Sequence, residues 1–313
     1  MAVSVVSAEG PKASSPRAAQ VAVPVADLRK EPSEPGTSRD HDPLEESQLL
    51  YGEPVRVFEE TDDWARVEAP EQQEWSHHQK WEGYPGWVRK TSLSFPPPES
   101  QPLAFDLIVT AKLAQVYTEP APGGREKLLL SIGSRLMDAS AGGKKGWRRV
   151  RLLDKSYGWV AESQIASLPV RSSNYPVLRS EILRTARSFL GDPYYWGGRS
   201  AYSPGATAPP HRGVDCSGLT ELAYQGNGIT IPRDAHEQWM KAQEIRRDQL
   251  KTADLVFLSD PKDPRRITHV MLYAGDGRVV EGPGTGEKVR EIPLEDRLKE
   301  TGGRKVFYGT YLP

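Results

Sequence analysis

Two hydrophobic patterns divide the chain, and the change between them falls near residue 176. Before it, short alternating runs such as Val55-Arg56-Val57-Phe58 are separated by turns rich in Gly, Pro and Asp. Such alternation predicts small antiparallel β-barrels. After it, apolar residues first recur at helical spacing and then alternate along strands. Helices followed by a run of strands predict an α+β domain with an antiparallel sheet.

The second part can be divided further from its apolar positions and turn residues. One amphipathic helix includes Ile182 and Phe189 and is stopped by Gly191-Asp192-Pro193. A second helix starts at Cys216, and a short third one is predicted near His236 to Gln243. Strands are predicted at 255–258, 268–272, 278–280 and 306–308.

The β-rich part contains an internal repeat. Three short segments recur in the same order, which indicates two copies of one unit. The matched pairs are Val25–Pro32 with Leu113–Pro120, Trp64–Val67 with Trp147–Val150, and Gly86-Trp87-Val88 with Gly158-Trp159-Val160.

These patterns predict four regions. Residues 1–20 are rich in Ala, Ser and Pro without periodicity and are expected to be a disordered lead-in. The two repeat copies occupy 21–96 and 104–169, joined at Pro96-Pro97-Pro98, and the α+β domain occupies 176–313. The first copy is longer, with extra segments around 37–50 and 71–83.

Composition excludes several classes of protein. With 313 residues, 37% of them hydrophobic, and a net charge of −1, the chain can build globular cores but has no basic field for nucleic acid or anionic membranes. No apolar run approaches the ~18 residues needed to span a bilayer. The N-terminus lacks a basic export signal, so we expect a cytoplasmic protein, or a periplasmic or secreted one whose signal was removed. The composition does not indicate an oligomeric state or a cofactor.

The single cysteine, Cys216, stands in the predicted first turn of a helix. Free backbone N–H groups and the helix dipole at that position favour a thiolate, the reactive form of a thiol. A buried small apolar residue is the alternative interpretation. A thiol nucleophile needs a base, and among six histidines only His269 lies within a predicted strand. Cys216, His211 and Asp215 lack the usual spaced pairs of metal ligands, so no metal is predicted.

Three motifs in the second part occur in a characteristic order. They are Tyr194-x-Trp196-Gly197-Gly198, Asp215-Cys216-Ser217-Gly218-Leu219, and His269-Val270-x-Leu272-Tyr273-x-Gly275-Asp276-Gly277. Together they resemble the NlpC family of papain-like cell-wall cysteine peptidases. The repeat copies, each closed by Gly-Trp-Val, resemble bacterial SH3-like domains. The resemblance implies a papain-like α+β domain after two all-β barrels.

The resemblance also implies roles for individual residues. Cys216 would be the nucleophile and His269 the general base, with Tyr194 and the backbone N–H of Cys216 forming the oxyanion hole. Substrate contacts would come from the first two motifs and from a later aspartate, namely Trp196, Asp215, Ser217 and Asp234. A serine often follows that aspartate in the family, whereas this chain has Ala235.

The third catalytic member departs from the family pattern. The family usually has His, Asn or Gln twelve residues after the histidine, and here that position is Glu281. A carboxylate can orient an imidazole as Asp does in serine hydrolases. The alternative is a surface glutamate on an edge strand. The segment 199–213 is also longer than the family suggests, and we expect it to extend into solvent.

The resemblance is strongest to γ-D-glutamyl-L-diamino acid endopeptidases, which cut murein peptides. A papain-like acyltransferase and a non-catalytic wall-binding protein are the alternatives. In such endopeptidases the first SH3-like domain closes the cleft and recognises a free N-terminal L-Ala. That role needs an anion and an aromatic side chain, for which the first repeat offers Glu53 and Tyr84. A solvated carboxylate and a packing tyrosine are the alternative.

Overall fold

The chain folds into two successive β-barrels followed by an α+β domain, and the predicted fold class is confirmed. This computed structural model describes residues 15–35, 41–96, 105–140, 144–170, 174–200, 202 and 213–313.

The two barrels have the same strand topology, which confirms the internal repeat. The first barrel consists of β1 (Arg17–Val21), β2 (Val25–Arg29), β3 (Glu45–Leu50), β4 (Pro54–Glu60), β5 (Trp64–Glu74), β6 (Glu82–Arg89) and β7 (Leu93–Ser94). The second consists of β8 (Leu107–Val109), β9 (Leu113–Tyr117), β10 (Glu126–Ser131), β11 (Arg135–Asp138), β12 (Trp147–Arg151), β13 (Tyr157–Ala161) and β14 (Ile165–Ser167). The strand orders β3-β2-β6-β5-β4-β1-β7 and β10-β9-β13-β12-β11-β8-β14 are the same order in the two copies.

The glycine of each Gly-Trp-Val motif is required by close packing inside its barrel. A Cβ placed on Gly86 would lie 2.7 Å from Leu28 Cγ, and one on Gly158 would lie 2.3 Å from Val116 Cγ1. Leu28 and Val116 occupy corresponding strands, β2 and β9. A side chain at either glycine would therefore push the second and sixth strands of its barrel apart.

The predicted lead-in over residues 1–20 was too long. Residues 1–14 lie outside the described part of the chain, but Arg17–Val21 form β1, which pairs with β4 and β7. Ala19 and Val21 are fully buried in the barrel core. A five-residue strand with polar residues at its start gives too little alternation to be recognised beside an Ala- and Ser-rich segment.

The α+β domain packs its helices against an antiparallel sheet. Its elements are α1 (Tyr175–Arg187), α2 (Cys216–Gln225), α3 (Ala235–Lys241), β15 (Gln243–Glu244), β16 (Leu255–Ser259), β17 (Ile267–Gly275), β18 (Arg278–Glu281), β19 (Arg290–Pro293), α4 (Leu294–Lys299) and β20 (Val306–Thr310). The sheet order is β15-β20-β16-β17-β18-β19, and α1, α2 and α3 all contact β17. The described helices include none with the length and apolar character needed to cross a bilayer.

All three domains contribute to one apolar core. Val25 and Leu50 of the first barrel and Ile132 of the second pack into the same buried cluster as Leu219 and Leu222 of α2. Apolar burial is the main favourable term in folding, so this shared cluster stabilises the packing of both barrels against the α+β domain.

A buried cation joins the first barrel to the α+β domain. Arg199 is fully buried, and its guanidinium contacts Glu53 of the barrel and Glu221 of α2, each at 2.8 Å. Its Nη1 also donates to the carbonyl of Gln48, and Nη2 donates to Gln225. Arg199 belongs to the α+β domain and Glu53 to the first barrel, so their ion pair forms only when the two domains are docked.

We predict that Arg199→Ala strongly destabilises the protein. The substitution leaves Glu53 and Glu221 buried without their counter-ion, a loss that typically costs ~3–5 kcal/mol. Thermal unfolding should show a markedly lower melting temperature. Arg184→Ala is the matched control, because Arg184 pairs with Glu181 at the surface, where such pairs contribute at most ~1 kcal/mol. Equal losses in the two variants would contradict the prediction.

Candidate active site

The cysteine lies at the start of the most buried helix. Asp215 caps α2, with its side chain accepting a hydrogen bond from the backbone N–H of Gly218 at 2.6 Å. Cys216 is the first residue of the helix and is 8% exposed. The predicted helix start is therefore confirmed, and the thiol lies at the end of α2 where backbone N–H groups are unpaired by the helix itself.

The thiol is not activated by its position alone. Burial, followed by the neighbouring carboxylate of Asp215, raises the pKa of Cys216 to about 12. The backbone N–H of Val270 acts in the opposite direction but does not outweigh these effects. The expectation of a thiolate favoured by the helix start is thus wrong for the resting site, because desolvation exceeds the helix contribution. The thiol needs a base.

His269 and Glu281 are brought together by two neighbouring strands. In the β17–β18 pairing Leu272 lies opposite Val280, which sets Glu281 diagonally across from His269 on the same face. Their side chains meet with His269 Nε2 and Glu281 Oε2 2.7 Å apart, and both residues are buried. Because Nε2 donates to the carboxylate, Nδ1 is the nitrogen that can accept the thiol proton. Val270, whose amide acts on Cys216, directly follows His269.

Glu281 is held by two arginines as well as by the histidine. Arg297 Nε donates to Oε2 at 2.9 Å, and Arg290 donates to Oε1 through Nε and Nη2 at 3.0 and 2.8 Å. Burial by itself would raise the pKa of Glu281, but the contacts with His269 and Arg297 lower it to about 2. The carboxylate is therefore ionised, and the alternative of a solvated surface glutamate is wrong.

Tyr194, the predicted oxyanion donor, is a buried tyrosine near Cys216 and Asp215. It is 8% exposed, and burial together with the nearby Cys216 and Asp215 raises the pKa of its phenol, so the hydroxyl keeps its proton and can donate. A Cβ on Gly282 would lie 3.4 Å from the Tyr194 ring. The residue after Glu281 therefore packs against the tyrosine and limits its position.

The sequence analysis missed Arg233, which connects the nucleophile to the first barrel. Its fully buried guanidinium donates to both oxygens of Asp215, at 3.1 and 2.8 Å, and to Ser217 Oγ at 3.0 Å. Its Nε donates to Ser47 of β3 at 2.8 Å. An arginine in a short polar segment before α3 carries no pattern that distinguishes it from a surface cation.

The predicted substrate-contact residues lie in different surroundings. Asp215 and Ser217 are buried and bonded to Arg233, so they shape the cleft floor. Asp234 is partly exposed and accepts a hydrogen bond from Tyr84 of the first barrel at 2.9 Å. Desolvation, Glu237 and Asp215 raise the pKa of Asp234 to about 7. Trp196 is 48% exposed, with its ring 5.7 Å from that of His41.

The prediction that Glu53 binds the substrate ammonium was wrong. Glu53 is 3% exposed, accepts hydrogen bonds from the Leu50 amide and Gln72, and pairs with Arg199. These contacts make it part of the domain junction. Glu46 of β3 is the carboxylate that faces Tyr84, with Tyr84 Oη 3.4 Å from Glu46 Oε2.

One sequence expectation concerns residues outside the described part of the chain. Most of the 199–213 segment, including His211, lies there, so its predicted exposure stays a prediction. Ala235, which stands where the family often has serine, is the first residue of α3 and is buried.

Comparison with known families agrees with this geometry. Residues 191–306 match the model of the NlpC/P60 family, and residues 40–93 match the bacterial dipeptidyl-peptidase Sh3 domain. The first match contains Cys216, His269 and Glu281, and the second contains Tyr84.

Individual relatives cover most of the chain. A γ-D-glutamyl-L-lysine dipeptidyl-peptidase from Bacillus cereus is 29% identical over 80% of this chain and 70% of its own length. One from Bacillus subtilis is also 29% identical, over 82% of this chain and 78% of its own length. The crystal structure of an NlpC/P60 family protein from Bacillus cereus superposes with a TM-score of 0.76 at 25% identity, covering 95% of this chain and all of that one.

The matched families and the Cys216–His269–Glu281 geometry lead to one assignment. Residues 191–306 are a cysteine peptidase domain of the NlpC/P60 family, preceded by a bacterial SH3 domain whose Tyr84 donates a hydrogen bond to Asp234 of the peptidase domain.

Proposed function

We propose that this protein hydrolyses the amide between a γ-D-glutamyl residue and an L-diamino acid in short murein peptides. The observation that carries the proposal is the Tyr84–Asp234 hydrogen bond, which joins the first barrel to the start of α3. The relatives named above are γ-D-glutamyl-L-lysine dipeptidyl-peptidases, which supports the same bond type here.

The proposed chemistry uses Cys216, His269 and Glu281. His269 Nδ1 takes the thiol proton as Cys216 Sγ attacks the γ-carbonyl carbon, and a tetrahedral oxyanion forms. The Tyr194 hydroxyl and the backbone N–H of Cys216 donate to that oxyanion, where one such donor is worth ~3–4 kcal/mol. The proton then passes from His269 to the departing amine as the C–N bond breaks. Water, deprotonated by His269, hydrolyses the thioester and releases the thiol.

The two arginines on Glu281 keep His269 usable as a base. A buried carboxylate beside an imidazole favours the imidazolium, which cannot accept the thiol proton. Arg290 and Arg297 share that carboxylate, which leaves less of its negative charge to stabilise the imidazolium. Glu281 thus orients the imidazole ring of His269, while Arg290 and Arg297 balance the negative charge of the Glu281 carboxylate.

The cleft wall is suited to a free N-terminal amine. Glu46 and Asp234 both contact the Tyr84 hydroxyl, so two carboxylates from different domains face one point. His77, whose pKa is raised to about 10 by Glu46 and Glu74, adds one positive charge nearby. Arg233 is a second cation, with Nη1 3.7 Å from Asp234 Oδ1. The carboxylates Glu46, Glu74, Asp215 and Asp234 outnumber these two cations, so an ammonium there would gain charge-assisted hydrogen bonds. We therefore propose that the enzyme prefers peptides with an unblocked L-Ala.

A single assay tests the proposed reaction. Incubation with the free peptide L-Ala-γ-D-Glu-L-Lys should release L-Ala-D-Glu, detected by mass spectrometry, and Cys216→Ala should abolish the release. Transfer of the dipeptide to an added amine, with little hydrolysis, would instead indicate an acyltransferase. Binding of the peptide without turnover by the wild type would indicate a non-catalytic wall-binding protein.

We predict that Glu281→Ala lowers kcat by about 100-fold or more, because the imidazole loses the group that fixes its orientation.

Arg297→Met should retain more activity but move the acid limb of the pH–kcat profile to higher pH. Removing the guanidinium charge favours the protonated imidazole, so a higher pH is needed to free the base. Arg187→Met, which alters an exposed pair with Glu291, is the control. An unchanged acid limb of the pH–kcat profile in Arg297→Met would show that Arg297 does not balance the charge of Glu281.

We predict that Glu46→Gln raises KM for the free peptide about tenfold, with kcat little changed. A charge-assisted contact to an ammonium is worth ~1.5–3 kcal/mol, and 1.4 kcal/mol corresponds to a factor of ten. N-acetylation of the peptide should raise KM similarly in the wild type and add little in the variant.

Glu59→Gln is the matched control for Glu46→Gln, because Glu59 pairs with Arg66 on the exposed side of the same barrel. Equal cleavage of free and acetylated peptides by the wild type would show that the barrel does not select a free amine. Intact murein sacculi would then be the substrate to test.

A further inference from the structure

We propose that the turn between β5 and β6 of the first barrel binds a Zn²⁺ ion through Glu74, His78 and Glu82. One ligand atom from each of these residues lies within 4.8 Å of the other two. The turn belongs to the segment that the second barrel lacks, and none of the three residues takes part in the catalytic geometry described above.

Glu74 provides the first argument, because one of its oxygens is buried without a partner. The residue is 1% exposed, and its Oε2 accepts from the backbone N–H of His77 and contacts His77 Nδ1, both at 3.0 Å. Within the described residues, Oε1 has no hydrogen-bond partner. A buried carboxylate oxygen left unpaired is costly, and a cation at this point would satisfy it.

His78 and Glu82 provide the second argument. His78 Nδ1 and Glu82 Oε1 are in direct contact, so a metal can take the place of the proton that they share. His78 is 59% exposed at its side chain, and Glu82 is 15% exposed, which leaves a route for an ion to enter from solvent. Lys80 Nζ lies 2.8 Å from Glu82 Oε2 and is the cation that competes for this carboxylate.

The ligand types select the metal. One imidazole nitrogen with two carboxylate oxygens suits Zn²⁺, whereas Ca²⁺ and Mg²⁺ prefer oxygen ligands throughout. Zinc sites with three protein ligands complete a tetrahedron with water, and the exposed side of His78 gives water access.

The turn also contacts the peptidase domain. Ser76 donates its backbone N–H to Glu237 of α3 at 3.1 Å, and Lys241 of α3 lies 4.0 Å above the Trp81 ring. An ion held by Glu74, His78 and Glu82 would therefore fasten the part of the first barrel that touches α3. The expected effect is on the stability of this contact, so the test does not depend on catalysis.

Direct titration of the full-length protein with Zn²⁺, and with Co²⁺ as a spectroscopic substitute, tests the site. The Cys216→Ala background removes the thiol as a competing ligand. Trp75 and Trp81, with ring centroids 5.8 Å apart beside the cluster, report binding by fluorescence. We expect one equivalent of metal to bind, with Co²⁺ giving visible d–d absorption, and the melting temperature to rise with metal.

The variants locate the metal. His78→Ala and Glu82→Gln should each weaken binding at least tenfold and remove the rise in melting temperature. Lys80→Ala should tighten binding, because it removes the competing ammonium. Glu59→Gln, on the same barrel away from the turn, should bind as the parent does. His78 is largely exposed, so His78→Ala should fold normally. The absence of saturable binding, or unchanged binding in both His78→Ala and Glu82→Gln, would overturn the proposal.

Discussion

The contact of Arg233 with Asp215 is the interaction on which the cleft depends. Asp215 caps the nucleophile helix, and Arg233 holds both of its oxygens while also contacting Ser47 of the first barrel. The residue that sets the start of α2 is thus fixed from the barrel side. Because one fully buried guanidinium makes both the ion pair with Asp215 and the hydrogen bond to Ser47, the helix cap and the domain junction depend on the same side chain.

Burial controls the reactivity of Cys216 because it raises the pKa of the thiol. A thiol exposed at a helix start would be partly ionised, but this one has its pKa raised to about 12. Reactivity then depends on proton transfer to His269, and that in turn depends on Glu281. A carboxylate in this position differs from the neutral amide or imidazole usual in the family because it carries charge. Arg290 of β19 and Arg297 of α4 form ion pairs with Glu281 and balance that charge.

The sequence predicted features that repeat or follow a local pattern. The alternation of apolar and polar residues located the strands around His269, and the Gly-Trp-Val motifs located both barrels. Glu281 was identified because the resembled family has its third catalytic member twelve residues after the histidine. β19 and α4 were missed, because Arg290-Glu291-Ile292-Pro293 has one apolar side chain between polar residues and a proline, and α4 spans six residues. Arg290 and Arg297, which lie on these two elements, were missed for the same reason.

One residue difference between the two barrels lies at the junction with the peptidase domain. After the positive-φ glycine of the matching turn, the first copy has Glu53 and the second has Ser134. The family resemblance suggested that Glu53 serves the substrate, because a cleft wall that binds an ammonium needs an anion and side chains at a barrel turn reach neighbouring groups. Its partner, Arg199, lies 146 residues away, a separation over which no periodicity or spacing rule connects two charges. Only the tertiary structure shows that Glu53 receives a buried guanidinium from the peptidase domain, whereas a serine at that turn could not neutralise one. The two copies of the repeat therefore have the same topology. The carboxylate of Glu53, at a turn where the second copy has Ser134, distinguishes the copy that binds Arg199.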